Sequence, residues 1–259
     1  MKKKLDIKLI LTLTFLGFIG IIALIPYEMT TLMNDDLLEL AGIPLPVVLT
    51  VNTISQTIML FVLVLIGERC MRRTGLGAPI IEAWLHKKEI PAFQKNWIWL
   101  AIGIAFIGSV LVLALDTFIF MPNIVIPEGA VAETVWWQGL LAMFYGGFTE
   151  ELMVRFFGMT FIVWLLAIIT KKYRESIPPL YFYLGIILAA LIFGIGHLPA
   201  TIQIFGELST ILLVRALLLN GLLGLWFGYL YWKKGLEYAF IAHMSADIFL
   251  HVLLEPMFS

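Results

Sequence analysis

Two adjacent glutamates, Glu150 and Glu151, stand inside an apolar stretch that runs from Trp136 to Thr170, and Arg155 follows one helical turn after the second. A charged side chain at the centre of a membrane span costs about 2.5–3.5 kcal/mol on insertion scales. Three of them within two turns therefore face a protein interior or a wet cavity, and an intramembrane acid is by that token a candidate for chemistry. On a helix Glu151 and Arg155 share a face, while Glu150 points about 100° away. That geometry divides the roles. Glu151 pairs with Arg155 and keeps the site oriented, and Glu150 is left to handle a proton. A purely structural ion cluster between helices uses the same residues equally well.

Two of the four histidines extend the pattern. His197 closes the phrase Phe193-Gly194-Ile195-Gly196-His197, whose glycines leave room for a close approach, and His243 stands one turn before Asp247 in the last apolar run. Either histidine alone reads as a hydrogen-bonded core residue; both, in a chain that also buries Glu-Glu-Arg, read as a site. A carboxylate with an imidazole can activate water. A second imidazole with a carboxylate can bind the oxygen of an attacked carbonyl or hold a metal. HExxH and GxSxG are absent, and no serine or cysteine is marked as a nucleophile by its neighbours. Hydrolysis by activated water, metal-free or metal-assisted, is the class these residues suit. Asp116, Arg215 and Asn220 are further polar groups within apolar runs, readable as support for the site or as the lining of a polar path. His86, in a basic loop, is given no role, and His251 is expected to stay out of the site.

The elements that position these groups are membrane helices. Apolar residues make up 61% of the 259, charged residues 14%, and mean hydropathy is +0.98. With a net charge of -1, no nucleic-acid surface is expected. Cys70 is the single cysteine, which excludes a disulfide framework and a thiolate cluster. The fold class predicted is all-α, a polytopic transmembrane bundle of about seven helices (six to eight). The spans are read at 7–25, 46–66, 97–120, 136–170, 180–205, 209–232 and 238–254. Residues 1–259 read as one membrane domain with a catalytic core within 136–254. The first span is taken as a retained helix rather than a cleaved signal, because its apolar run is long and no small-x-small site follows it. Gly146-Gly147 is a plausible break in the long fourth run, and Pro199 is expected to bend the fifth.

Connections alternate in charge. Lys2, Lys3 and Lys4; Arg69, Arg72, Arg73, Lys87, Lys88 and Lys95; Lys171, Lys172 and Arg174; and Lys233 and Lys234 mark one side. Glu28, Asp35, Asp36, Glu39, Glu128 and Glu133 mark the other. The positive-inside rule then puts the N-terminus in the cytoplasm and the C-terminus outside, with Trp97, Trp136, Trp137 and Trp232 as interfacial anchors. Depths do not agree on this scheme. Counted from Lys171, Glu150 lies roughly 30 Å deep, whereas His243 counted from Lys234 lies only about 13 Å deep. A kink or an extension of the fourth helix is needed to bring them level.

Glu150-Glu151-x-x-x-Arg155, Phe193-x-x-x-His197 and His243-x-x-x-Asp247, in that order on later helices, resemble the CAAX protease and bacteriocin-processing family (the Abi group), which includes type II CAAX prenyl endopeptidases. The resemblance covers 136–254. It implies an integral-membrane protease, prokaryotic in look, in which Glu150 and His197 activate the attacking water. His243 and Asp247 would stabilise the oxyanion or join in metal binding, with Glu151, Arg155 and Phe193 in support. A divalent metal such as zinc, if used, would be held by Glu150, His197 and His243. The family motif often ends in Asn, and Asp247 departs from it: an ionised Asp cannot donate to an oxyanion, so it is protonated, orients His243, or favours a metal. The partners expected are membrane lipids and a peptide or protein substrate, lipidated or not. Two other readings stand beside the protease: a non-catalytic immunity or scaffold protein of the same fold, and a proton-coupled transporter. A transporter would string its acids and histidines across the membrane, whereas a protease would gather them around one pocket.

Overall fold

The computed structural model describes residues 4–32, 42–125 and 135–254. Lys2, Lys3, Asp35, Asp36, Glu39, Glu128 and Glu133, used above for the charge alternation, lie outside the described residues. The described part is helical, without strands, and seven of its helical runs are long and apolar enough to cross a membrane. The chain is an integral membrane protein built as an all-α bundle. The elements are α1 (Ile7–Leu32), α2 (Leu45–Thr74), the short α3 (Pro79–Leu85) and α4 (Lys95–Leu115), then α5 (Trp136–Phe144) and α6 (Thr160–Ile169). After these come α7 (Pro179–Gly196), α8 (Leu198–Phe205), α9 (Thr210–Lys234) and α10 (Leu236–Asp247).

Two boundaries differ from expectation by more than a helical turn. α1 does not stop before Pro26 but continues to Leu32. The Pro26 carbonyl accepts from Thr30 Oγ1 (3.2 Å) and from Gln138 Nε2 (3.0 Å), and Gln138 also donates to Thr30 Oγ1 (2.7 Å). A helix distorted by proline is thus held by a side chain from α5. α2 runs eight residues past Ile66 to Thr74, because Glu68, buried on that extension, is paired with Arg72 and accepts from the Asp6 amide (3.0 Å).

The fourth run is not broken at Gly146-Gly147. α5 and α6 are joined through two π-helical segments, Tyr145–Glu150 and Leu152–Met159, which carry Glu150 and Arg155 and flank Glu151. Widened turns of this kind concentrate at functional sites. The glycines serve close packing instead: a Cβ on Gly147 would drive into the Met244 side chain of α10. Thr149 Oγ1, one residue before the glutamates, donates to the Gly17 carbonyl of α1 at 2.8 Å. Pro199 acts as expected. α7 ends at Gly196 and α8 begins at Leu198, so proline occupies the first turn of a new helix, where its missing N–H costs little.

The Thr160 and Tyr231 hydroxyls meet at 2.7 Å, three residues before Lys234. The long fourth run therefore reaches the end of α9 at Thr160, and residues 161–169 extend beyond it. From Thr160, Glu150 is roughly 15 Å away along the helix, in line with about 13 Å for His243 from Lys234. The basic connections share that end. Arg174 Nε donates to the Arg72 carbonyl (3.1 Å), Lys234 Nζ to Gln94 Oε1 (2.7 Å), and the Leu236 amide to the Gly77 carbonyl (3.0 Å). Gly235, at φ 104°, makes the tight turn from α9 to α10, a backbone conformation that L side chains rarely adopt.

Candidate active site

Glu150 and Glu151 come from the π-helical part of the fourth span, His197 from the α7–α8 break, and His243 and Asp247 from α10. The fold brings all five together. Glu150 Oε1 lies 3.9 Å from His197 Nε2, and its other oxygen, Oε2, lies 3.6 Å from His243 Nε2. His243 Nε2 is also 3.7 Å from Asp247 Oδ1. The groups form one cluster rather than a chain across the membrane.

The backbone sets the state of one imidazole. His197 Nδ1 lies 2.9 Å from the Phe193 carbonyl, which can only accept, so Nδ1 carries the proton and donates. Where the ring is neutral, Nε2 presents a lone pair to the Glu150 carboxylate. His197 follows Phe193 by one turn, so the i, i+4 spacing in the sequence is the origin of this bond. The Phe193 ring packs edge-on against both His197 and His243, with centroids 4.7 and 5.7 Å away.

The second imidazole is held from the other side. His243 Nδ1 is 2.8 Å from Glu151 Oε1, a contact the sequence did not disclose, and donates to it. The ring stacks on Phe227 at 4.4 Å. With Nδ1 committed to Glu151, Nε2 is the atom turned toward Glu150 and Asp247. Glu151 thus positions His243 as well as pairing with Arg155.

Glu151 and Arg155 are both fully buried. Glu151 Oε2 and Arg155 Nε are 3.5 Å apart, close enough for charge attraction but too misaligned for a hydrogen bond. Arg155 NH2 donates to the Gly224 carbonyl (3.1 Å), and the guanidinium lies over the Phe193 and Phe227 rings at 5.1 and 5.6 Å. The aromatic faces and one carbonyl hold the cation where carboxylate geometry alone does not.

Gly146 is a site residue that sequence reasoning read only as a break. A Cβ there would collide with the Asp247 carboxyl and come within 3.0 Å of His243 Nε2. Its place four residues before Glu150, in a motif-bearing span, was the available signal. Gly194 has a comparable task, with the Leu217 backbone of α9 at 2.8 Å from where a Cβ would stand, whereas Gly196 has nothing within 4 Å.

Most of the remaining polar groups go elsewhere. Asp116 and Arg215 form a two-pronged ion pair, both contacts at 2.6 Å. Asn220 donates to the Ala216 carbonyl of its own helix (2.9 Å), whereas His251 packs over Gly139 and, one turn after Asp247, stands close enough to that carboxyl for charge attraction, at the border of the cluster. His86 pairs with Asp6 across the α1 and α3 ends, a structural role the sequence did not suggest. Among the described residues, no group of three or more His, Cys, Asp or Glu side chains has the geometry of an ion site. Each Glu150 oxygen is turned to a different imidazole, so the carboxylate lies between the rings instead of joining them at one point. Glu150, His197 and His243 as arranged do not fit a shared metal ion.

Residues 132–249 match the family model of Rce1-like type II CAAX prenyl endopeptidases, and the match spans the Glu-Glu-Arg segment, His197, His243 and Asp247. The family suggested by the three motifs is the one found. No curated protein and no solved structure gave a match. The Rce1-like segment contains every member of the cluster, while α1 to α4 lie before it and supply the packing around it.

Proposed function

We propose that this chain is an intramembrane endopeptidase in which Glu150 and His197 together activate the attacking water. The observation that carries the reading is the pair of acceptors facing each other. A carboxylate oxygen and an imidazole lone pair 3.9 Å apart repel unless a donor lies between them, and a water gives one proton to each. Such a water keeps its oxygen lone pairs for attack. At the family level the Rce1-like match supports a CAAX-protease-like enzyme of this class.

The water proton passes to Glu150 as the oxygen bonds to the scissile carbonyl carbon. The charge that develops on the carbonyl oxygen accepts a hydrogen bond from His243 when its Nε2 is protonated, the ring being held by the bond from Nδ1 to Glu151. Glu150 then passes its proton to the leaving nitrogen, and the C–N bond breaks. Asp247, 3.7 Å from His243 Nε2, orients that ring rather than serving as the oxyanion donor. The side chains of Glu150 and His197 are 17% and 33% exposed, against 5% for His243, so substrate enters from the side of His197, where α7 breaks into α8. The substrate proposed is a peptide or protein in or at the membrane, with prenylation left to the assay.

The test is cleavage of a panel of prenylated and unprenylated membrane peptides by the full chain in liposomes. Glu150→Gln is expected to lower cleavage by about 10²–10⁴-fold while the variant keeps its helical content and its elution as a folded protein. Unchanged turnover in that variant contradicts the proposal.

A further inference from the structure

Away from the cluster, the basic end of the bundle contains a cleft of about 530 Å³, between the end of α2, the connection carrying α3, and the end of α9. Lys88, Arg174, Lys233 and Lys234 line it, against two carboxylates, Glu82 and Glu89. Among the described residues no carboxylate comes within ion-pair distance of any of the four cations, and only Lys88 feels a longer-range attraction, to Glu82. Two of them are held instead by aromatic faces: Lys233 Nζ lies 3.3 Å from the Trp232 ring centroid and Lys234 Nζ 4.3 Å from that of Trp97. Arg174 is fixed through the Arg72 carbonyl. A cleft with surplus, positioned positive charge selects an anion.

A separate observation indicates the source of that anion. Trp84, Ile90 and Phe93 are 63%, 47% and 46% exposed, yet they lie between the spans that end at Thr74 and begin at Lys95. Large apolar side chains interleaved with Lys87, Lys88 and Lys95 are the pattern of a segment lying in the headgroup region, not of a loop in water. Trp97 and Trp232, at span ends, place the cleft at that same level.

We propose that this cleft binds the phosphate-bearing headgroup of an anionic phospholipid of the host bilayer. The four cations neutralise the phosphate, and the acyl chains run beside the exposed apolar residues of the α3 connection. The site lies at the membrane surface, separate from the Glu150 cluster deeper in the bundle.

The experiment uses the full chain in nanodiscs of phosphatidylcholine with a minority of phosphatidylglycerol, extracted gently, with retained lipid counted by native mass spectrometry. Phosphatidylglycerol is expected to be enriched about tenfold over phosphatidylcholine, as the attraction of several basic side chains for an anionic headgroup implies. Lys88→Gln with Lys233→Gln should remove that enrichment, and Lys234→Gln with Arg174→Gln should do the same if the first pair folds poorly. Equal retention of the two lipids, or enrichment unchanged in a folded variant, overturns the proposal. Binding of inorganic phosphate without enrichment of phosphatidylglycerol overturns it as well, by making the cleft a site for soluble anions.

Discussion

His243 Nδ1 donates to Glu151 Oε1 at 2.8 Å, so the second glutamate of the pair fixes the tautomer and direction of an imidazole on a different helix. The two adjacent acids thereby divide between two histidines. Glu151 orients His243 from the buried side, and Glu150 faces Nε2 of both rings from the accessible side. A π-helical backbone at the motif places neighbouring residues in these two positions.

Arg155 tests the buried half of this arrangement. Arg155→Met leaves Glu151 without its cation and removes the bond to the Gly224 carbonyl. Breaking a fully buried pair from one side costs about 3–5 kcal/mol. Thermal unfolding in detergent should show a corresponding loss, together with loss of cleavage; an unchanged midpoint contradicts the assignment.

Gly146 makes a steric prediction with an internal control. Gly146→Ala forces Asp247 and His243 aside and should lower turnover about a hundredfold, as a displacement on the order of 1 Å does in a positioned site. Gly196→Ala meets nothing within 4 Å and should leave turnover within about twofold. Equal effects of the two substitutions would show that the close approach at Gly146 has no part in catalysis.

Asp6 predicts the acid limb of the stability profile. Burial alone would raise its carboxyl, but the hydrogen bonds from His86 and the Leu9 amide, with the nearby His86 and Arg72 charges, hold it below its ordinary value of 3.8. A group depressed on folding contributes stability that is complete above the unfolded value and is lost as pH falls through the folded one. Wild type should therefore lose stability below about pH 4 more steeply than Asp6→Asn, measured by unfolding in detergent as a function of pH. Parallel profiles contradict the latch between α1 and α3.

Much of the site was legible because its spacings are helical. Phe193–His197, Glu151–Arg155 and His243–Asp247 are each four apart, and each forms a contact in the structure. What spacing does not give is register between helices. The bond from His243 to Glu151, the pairing of Asp116 with Arg215, and the approach of Gly146 to Asp247 all depend on how helices distant in sequence are set against one another. The depth conflict has the same origin: Lys171 does not mark the level of the bundle's end, because the Thr160–Tyr231 contact sets that level near Thr160 and the helix projects past it. The helices run past the span ends expected at Ile25 and Ile66, because the Pro26 carbonyl is held by Gln138 and buried Glu68 accepts from the Asp6 amide, partners distant in sequence.

The most direct test of the shared water is a double-mutant cycle on Glu150→Gln and His197→Asn, the latter keeping a donor for the Phe193 carbonyl while removing the Nε2 acceptor. Each single variant should lose about 10²–10⁴-fold in kcat/KM. If both groups act on one water, the double variant is hardly slower than the slower single one, because the second substitution removes a partner already disabled. Losses that multiply would mean that Glu150 and His197 act on different molecules or at different steps, and would contradict the account.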